Sequence, residues 1–246
     1  MKIQLFKFDT IDSTNSEAMR QAHAGAAEGV CIVADEQTAG RGRFGRVWSS
    51  KKGAGLYFSI ILRPKFEPRH FPLVTLMAGI AVNSALKSVG VETDIKWVND
   101  LIVRDRKICG ILAEASESAH GRFIVIGIGI NITNDNIPTD SEKFATSIMA
   151  EGGEANDVGV LVTSLCEELR RGYDLLSAEG GPKMVRDLWC SLSSYAVGKR
   201  VVVDTSGEIF SGTTCGVEEN GALIVRTDDG TTRTVEAGEI SRVRPG

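Results

Sequence analysis

No run of about eighteen apolar residues, the length that spans a bilayer as a helix, occurs anywhere in the 246-residue chain. The N-terminal MKIQLFKFDTIDST places acids and hydroxyls where a signal peptide needs an unbroken apolar core. The expected compartment is therefore the cytoplasm, with no membrane partner. Cysteine pairs are missing too: Cys31, Cys109, Cys166, Cys190 and Cys215 are odd in number, widely spaced and without a Cys-x-x-Cys, which fits reduced thiols better than a disulfide framework. His23, His70 and His120 are dispersed, with no Cys or carboxylate at ligand spacing. That excludes a structural zinc site and leaves no Ser-His-Asp set. A Gly-x-Ser-x-Gly elbow and a Gly-Lys-Ser/Thr phosphate loop are also absent, so covalent catalysis by the protein has no support. The formal net charge of −4 and a pI near 5.5 argue against nonspecific nucleic-acid binding as the main task.

What is present is an ordinary globular composition, 42% apolar and 24% charged, without internal repeats, around one unusual loop. Gly40-Arg41-Gly42-Arg43-Phe44-Gly45-Arg46 alternates backbone freedom with planar guanidinium donors, the combination that wraps carboxylate or phosphate oxygens. From Gln37 to Phe66 there are seven Lys/Arg and no Asp or Glu, so positive potential is concentrated in an acidic chain. A solvated basic loop is the plain alternative. Gly53, Gly55, Trp48 and Tyr57 close by weigh against it. The segment satisfies Gly-x-Gly-x-x-Gly, but Trp48-Ser49-Ser50 and a strand follow where a dinucleotide fold opens a helix, so that reading fails on context. Mutually repelling arginines among glycines predict a loop that is mobile until a ligand orders it.

The pattern around the loop predicts a mixed α and β body followed by a small β module. A capping box at Thr14-Asn15-Ser16-Glu17, with Ser13 just before it, starts a first helix between residues 13 and 15. Strands are expected over 30–35 and 56–62, joined by the loop, and a core helix over 71–89, ended by Gly90. Four strands follow over 94–98, 101–103, 107–113 and 123–132, two of them linked by a tight turn at Arg104-Asp105-Arg106. Helices are expected over 157–176 and 183–192. From Ala196 the text changes to short β-like pieces over 200–204, 209–217, 222–227 and 231–235, punctuated by Ser206-Gly207, Asn220-Gly221 and Asp229-Gly230. This divides the chain into domains 1–195 and 196–246, the second an SH3-like barrel.

Three further segments carry candidate chemistry. Lys96-Trp97-Val98-Asn99-Asp100 sets Lys, Asn and Asp beside a large aromatic at a strand end, although an edge strand with an Asn-Asp turn would read the same. In Lys107-Ile108-Cys109-Gly110-Ile111-Leu112, period-two alternation puts Lys107 with Cys109 and Ile111 on one face, and Ile108, Gly110 and Leu112 on the other. Both faces are mainly apolar. The ammonium then points into a closed cavity, or snorkels from a turn. Gly127-Ile128-Gly129-Ile130-Asn131 places glycines in an apolar strand, a sign of close approach by a ligand or another backbone, or of a bulge. Together Arg41, Arg43, Arg46, Lys96, Lys107, Asn99, Asn131 and Asp100 suit phosphoryl chemistry done by positioning and charge stabilisation.

In order along the chain, Ser13-Thr14-Asn15, the segment from Gln37 to Trp48, Lys96-Trp97-Val98-Asn99-Asp100, Lys107 to Leu112 with Glu114, and Gly127 to Asn131 resemble the motif series of biotin protein ligases. The resemblance runs from Phe8 to the C-terminus. It implies an α+β fold, a mixed sheet flanked by helices like the class II synthetase catalytic domain, with the small C-terminal SH3-like barrel helping to close the site or receive the carrier domain. It also implies that biotin and Mg-ATP give biotinyl-5′-adenylate, and that a lysine of a biotin carboxyl carrier protein or domain then takes the biotin. By the same resemblance Ser13, Thr14, Asn15, Gln37, Gly40, Arg41, Gly42, Arg43, Lys107 and Gly110 hold biotin, with Ser13, Thr14, Asn15 and Gln37 on its ureido group. Arg41, Arg43, Arg46, Trp48, Lys96, Asn99 and Asn131 hold ATP, Trp48 covering the adenine. Lys107, Arg41 and Arg43 are the catalytic set, and Asp100 is the one candidate for magnesium. Val98 stands where the family usually has proline, a change that alters backbone stiffness before Asn99 and removes no functional side chain. Members that double as repressors carry an N-terminal winged helix. Here the motifs begin at Ser13, so no DNA partner is expected. The partners that the resemblance allows are the carrier of a biotin-dependent carboxylase and a second copy of the chain in a homodimer. A lipoate or octanoate ligase of the same fold, and a noncatalytic biotin-binding regulator, remain as alternatives.

Overall fold

A computed structural model describes residues 1–154, 157–205 and 207–242. Ser206, half of the expected Ser206-Gly207 turn, and residues 243–246 of the expected second domain lie outside them. Seven strands form one sheet in the order β1 (Gln4–Ile11), β2 (Val30–Gln37), β3 (Gly55–Leu62), β7 (Gly121–Asn131), β6 (Arg106–Ser118), β5 (Asp100–Val103) and β4 (Asp94–Lys96). β1 runs parallel to β2, and the other pairings described in this sheet are antiparallel. The sheet is thus mixed, as expected. β1 had no expectation: most of its residues are exposed, so it offers no buried pattern to read.

Alternation along the strands shares the two faces between helices. Leu56, Phe58, Ile60 and Leu62 of β3, with Ile124, Ile126, Ile128 and Ile130 of β7, enter one apolar core together with α2 (Leu73–Ser88), α3 (Val158–Ser177) and α4 (Gly181–Leu192). On the other face Ile61, Phe123 and Val125 pack on Ala18 and Ala22 of α1 (Thr14–His23). α1 starts one residue earlier than its Thr14 box suggests. Ser13 is the N-cap, and its side chain accepts the Ser16 N–H. α2 stops as expected at Gly90: Val91 N–H reaches Leu86 O and Gly90 N–H reaches Lys87 O, with Gly90 at φ 83°. The β5–β6 turn places Arg104 and Asp105 at φ 49° and 63°, the primed turn of a tight hairpin.

A second sheet runs β11 (Thr232–Val235), β10 (Leu223–Thr227), β9 (Glu208–Val217), β8 (Val197–Thr205), β12 (Glu239–Arg242). It has one strand more than expected, β12. β11 and β12 are its two edges, so the SH3-like barrel is not closed. Its Val201, Val203, Leu223, Val225 and Ile240 join the same core as α2 and the first sheet. Trp97 ties the two sheets, its indole N–H donating to Gly221 O at 3.0 Å. The Trp97–Val98 peptide is cis.

Candidate active site

On the α1 face of the first sheet, β7 reads Phe123, Val125, Gly127, Gly129, Asn131. The bulk stops beneath the first turn of α1, and two glycines follow. A Cβ on Gly127 would stand 2.0 Å from Asn15 Oδ1, and one on Gly129 2.4 Å from the Trp48 indole. The glycines are there because other side chains occupy their space.

This opening has two compartments. The smaller, about 50 Å³, is lined by Ser13, Thr14, Asn15, Gln37, Gly127 and Leu112 among others. Hydrogen bonds tie its polar walls together. Thr14 N–H and Oγ1 both donate to Gln37 Oε1, at 2.8 and 3.1 Å, and Gln37 Nε2 donates to Ser50 Oγ at 2.8 Å. Asn15 Nδ2 donates to Glu114 Oε2 at 3.0 Å and Leu112 O at 3.3 Å. Ser59 Oγ lies 2.7 Å from Asn15 Oδ1 and 2.8 Å from Thr14 Oγ1. Gly40 belongs to the same fit, since a Cβ there would meet Trp48 O at 2.3 Å.

The larger compartment, about 600 Å³, is lined by Arg46, Lys96, Asp100, Asn131, Phe144 and Glu239 among others. Gly42, Arg43, Trp48, Asn99 and Lys107 line both. Lys107 therefore stands at the junction. Its Nζ is 2.7 Å from Asp100 Oδ1 and 5.4 Å from the centre of the Trp48 ring.

Two expectations about Lys107 are corrected. Leu101 pairs with Cys109 and Ile102 with Lys107, which leaves Ile108 as the extra residue of a bulge. Ile108 and Cys109 both turn into the core at 0% exposure. Lys107 moves to the face of Gly110, whose added Cβ would lie 3.1 Å from Lys107 Nζ. Nor is the ammonium in a closed cavity. Its side chain is 34% exposed, on the wall of an open cleft.

The arginine loop is folded on itself, Gly42 N–H reaching Arg46 O at 2.8 Å and Trp48 N–H reaching Gly40 O at 3.0 Å. Each arginine has a partner, so mutual repulsion does not describe them. Arg41 makes a bidentate pair with Glu114, at 2.6 and 3.1 Å. Arg43 donates to Asn99 Oδ1 at 2.9 Å and Gly238 O at 3.3 Å. Burial lowers its affinity for its proton, against the attraction of Asp100 and Glu239. Arg46 pairs with Glu239 at 2.7 Å; that hydrogen bond raises the guanidinium and lowers the carboxyl from their ordinary values. Two other basic residues of the run point elsewhere. Lys52 pairs with Asp9, and Arg63 caps the end of α1 at Ala22 O and Ala26 O.

The expected nucleotide residues differ in freedom. Lys96 faces the large compartment, its charge helping to keep Glu239 ionised. Asn99 is bound at both ends, its Nδ2 donating to Ile111 O at 2.9 Å. Asn131 is 4% exposed, with Nδ2 on Thr146 O and Oδ1 accepting from Asn136. It holds the segment after β7, which also pairs with Lys107 through Lys107 N–H to Phe144 O and Thr146 N–H to Lys107 O. The Trp48 indole N–H is buried without a partner among the described residues. Asp100 is not joined by a metal cluster: no three His, Cys, Asp or Glu converge among the described residues.

Reading the sequence left Ser59, Glu114 and Glu239 without a role. A serine inside the apolar strand GLYFSIIL is a visible signal. Glu239, in a four-residue strand remote from the loop in sequence, gives none.

Residues 7–131 match the biotin/lipoate A/B protein ligase family, and residues 196–243 match the biotin protein ligase C-terminal domain. The biotin acetyl-CoA-carboxylase ligase of Mycobacterium tuberculosis is 32% identical over 94% of this chain and 86% of that protein. The bifunctional ligase/repressor BirA of Bacillus subtilis is 36% identical over 92% of this chain and 70% of that protein. Among solved structures, the biotin protein ligase of Aquifex aeolicus in complex with biotin and ATP superposes with a TM-score of 0.81 at 28% identity, over 98% of this chain and 99% of that one. By sequence and by fold, the chain belongs to the biotin/lipoate A/B protein ligase family.

Proposed function

We infer that the chain is an ATP-dependent biotin protein ligase in which the small compartment takes biotin, the large one takes Mg-ATP, and the two substrates meet at Lys107. The observation that carries this division is the position of Lys107, on the wall of both compartments. In the first step a biotin carboxylate oxygen bonds to the α-phosphorus, the bond to the bridging oxygen breaks, and pyrophosphate leaves with the electron pair. A cation at that junction opposes the charge that builds on carboxylate and α-phosphate. In the second step a lysine amine of a biotin carboxyl carrier domain bonds to the acyl carbon and loses a proton, and AMP leaves.

The remaining roles follow from the hydrogen bonds. Ser13, Thr14, Asn15 and Gln37 present donors and acceptors fixed by their neighbours, suited to a ureido ring. Arg41 is held by Glu114, and Arg43 by Asn99, at the mouth of the compartments. Trp48 covers Gly110 and Gly129, and its partnerless N–H is buried against Gly129. Magnesium comes with ATP. One carboxylate, Asp100, with phosphate oxygens and water makes an ordinary magnesium set.

Matches to a biotin ligase C-terminal domain and to relatives named for biotin favour biotin over lipoate or octanoate. The presence of Lys107, Arg41 and Arg43 favours an enzyme over a noncatalytic regulator. Domains 1–195 and 196–246, a cytoplasmic location, a carrier domain as acceptor and the lack of a DNA operator belong to the same proposal; no described helix is long and apolar enough to cross a membrane. The test is transfer of labelled biotin to a carrier domain with Mg-ATP. Labelling of one carrier lysine is expected. Preferential transfer of lipoate or octanoate, or no transfer, overturns the reading.

A further inference from the structure

β12 and the glycine before it belong to the second sheet, yet Gly238, Glu239, Ile240 and Ser241 line the large compartment. They stand as a fixed post. β12 pairs with β8 from Glu239 opposite Asp204, Ile240 is 2% exposed, and a Cβ on Gly238 would come within 2.8 Å of Asp204 O. The arginine loop is anchored only at its base, where Trp48 packs on Gly110 and Gly129. Phe44 at its tip is 57% exposed and Val47 83% exposed, so no apolar burial fixes where the tip lies. Polar ties do that work, and two of them end on the post: Arg46 on Glu239 at 2.7 Å, and Arg43 on Gly238 O at 3.3 Å.

We propose that Glu239 is a positioning residue that latches the arginine loop across the large compartment and so retains the acyl-adenylate between the two chemical steps. The inference rests on the ligase reading above. A mixed anhydride that escapes is lost to water or to stray amines, so a loop that closes the site protects it. The latch is weak by design of its surroundings, with Arg46 and Glu239 side chains 63% and 42% exposed. A pair that open to solvent adds little to stability and can be released for each turnover. Arg43 and Lys96 add their charge on the same side and keep Glu239 ionised.

The test follows labelled adenylate. Protein is loaded with labelled biotin and Mg-ATP, freed of excess by a spin column, and the rate at which labelled adenylate leaves is measured for the unaltered chain, Glu239→Gln, Glu239→Asp, Arg46→Gln and the double variant that combines Glu239→Gln with Arg46→Gln. Escape should quicken by about two- to fivefold in Glu239→Gln, the range an exposed ion pair allows. Arg46→Gln should quicken it similarly, the double variant should add little, and Glu239→Asp should recover part of the retention. Added salt should quicken escape from the unaltered chain and leave Glu239→Gln nearly unmoved, a response that a purely structural role would not give. Escape from Glu239→Gln at the unaltered rate, or effects of the two single changes that simply add, overturns the latch. Failure of the unaltered chain to form adenylate overturns the ligase reading, and the latch with it.

Discussion

The two compartments of the cleft are built in opposite ways. Apart from loop residues, most of which it shares with the large one, the small one is walled by regular elements, α1, β2, β3, β6 and β7, where Thr14, Asn15 and the Ser59 that supports them are all at most 4% exposed and hydrogen-bonded to one another or to Gln37 and Glu114. The large one is closed by two connections, the arginine loop and the segment after β7, set against strand ends and β12, and the pair that ties the loop to β12, Arg46 with Glu239, is half-exposed. Buried, satisfied networks fix one geometry. Exposed pairs are cheap to break. The first arrangement suits recognition of one rigid ligand, and the second suits a nucleotide and a pyrophosphate that must enter and leave.

The largest effect should fall where the compartments meet. Lys107→Ala is expected to lower adenylate synthesis on the order of a hundredfold or more, the usual consequence of removing a preorganised charge-stabilising donor. Lys96→Ala, inside the large compartment only, should cost much less in the same pyrophosphate-release assay.

Next come changes to the rigid half. Gly127→Ala drives a methyl into the Asn15 carboxamide. Overpacking of this kind costs about 1–3 kcal/mol, and calorimetry should show biotin affinity falling by about ten- to a hundredfold. Ser59→Ala removes one hydrogen-bonding group from the buried network, at about 1–3 kcal/mol of stability. Thermal unfolding checks it, with biotin affinity falling alongside.

The smallest effect is a pH response of the loose half. Glu151 is buried, which pushes its carboxyl up, but the Thr146 hydroxyl at 2.6 Å and the guanidinium groups of Arg104 and Arg106 outweigh this and hold it below the ordinary value. Its contribution is therefore complete at neutral pH and is lost as the pH falls below the usual carboxylate range. Amide exchange over residues 134–152 should accelerate at acid pH before that of β3 and β7. Simultaneous loosening of both would erase the contrast between the halves.

Reading the sequence marked part of the rigid half, where the signals are local, and left Ser59 and Glu114 within it without a role. Glycines in an apolar strand, a capping serine and the run Ser13-Thr14-Asn15 all act within a few residues of where they stand. It failed where geometry depends on pairing. The bulge at Ile108 lies in the register between β5 and β6, so alternation alone put Lys107 on the wrong face. The partners of Arg41, Arg43 and Arg46 come from β6, the Asn99 turn and the second sheet, and no local pattern names them. Asn131 was recognised as notable, yet its side chain holds a neighbouring segment.

The central claim is that Lys107 acts on the joining of two substrates more than on the holding of either. The most direct measurement sets biotin affinity by calorimetry beside the rate of pyrophosphate release, for the unaltered chain and for Lys107→Ala. The account predicts that affinity falls by no more than about tenfold, one lost charge-assisted contact, while the rate falls on the order of a hundredfold or more. Equal losses in both, or a rate that survives, would contradict it.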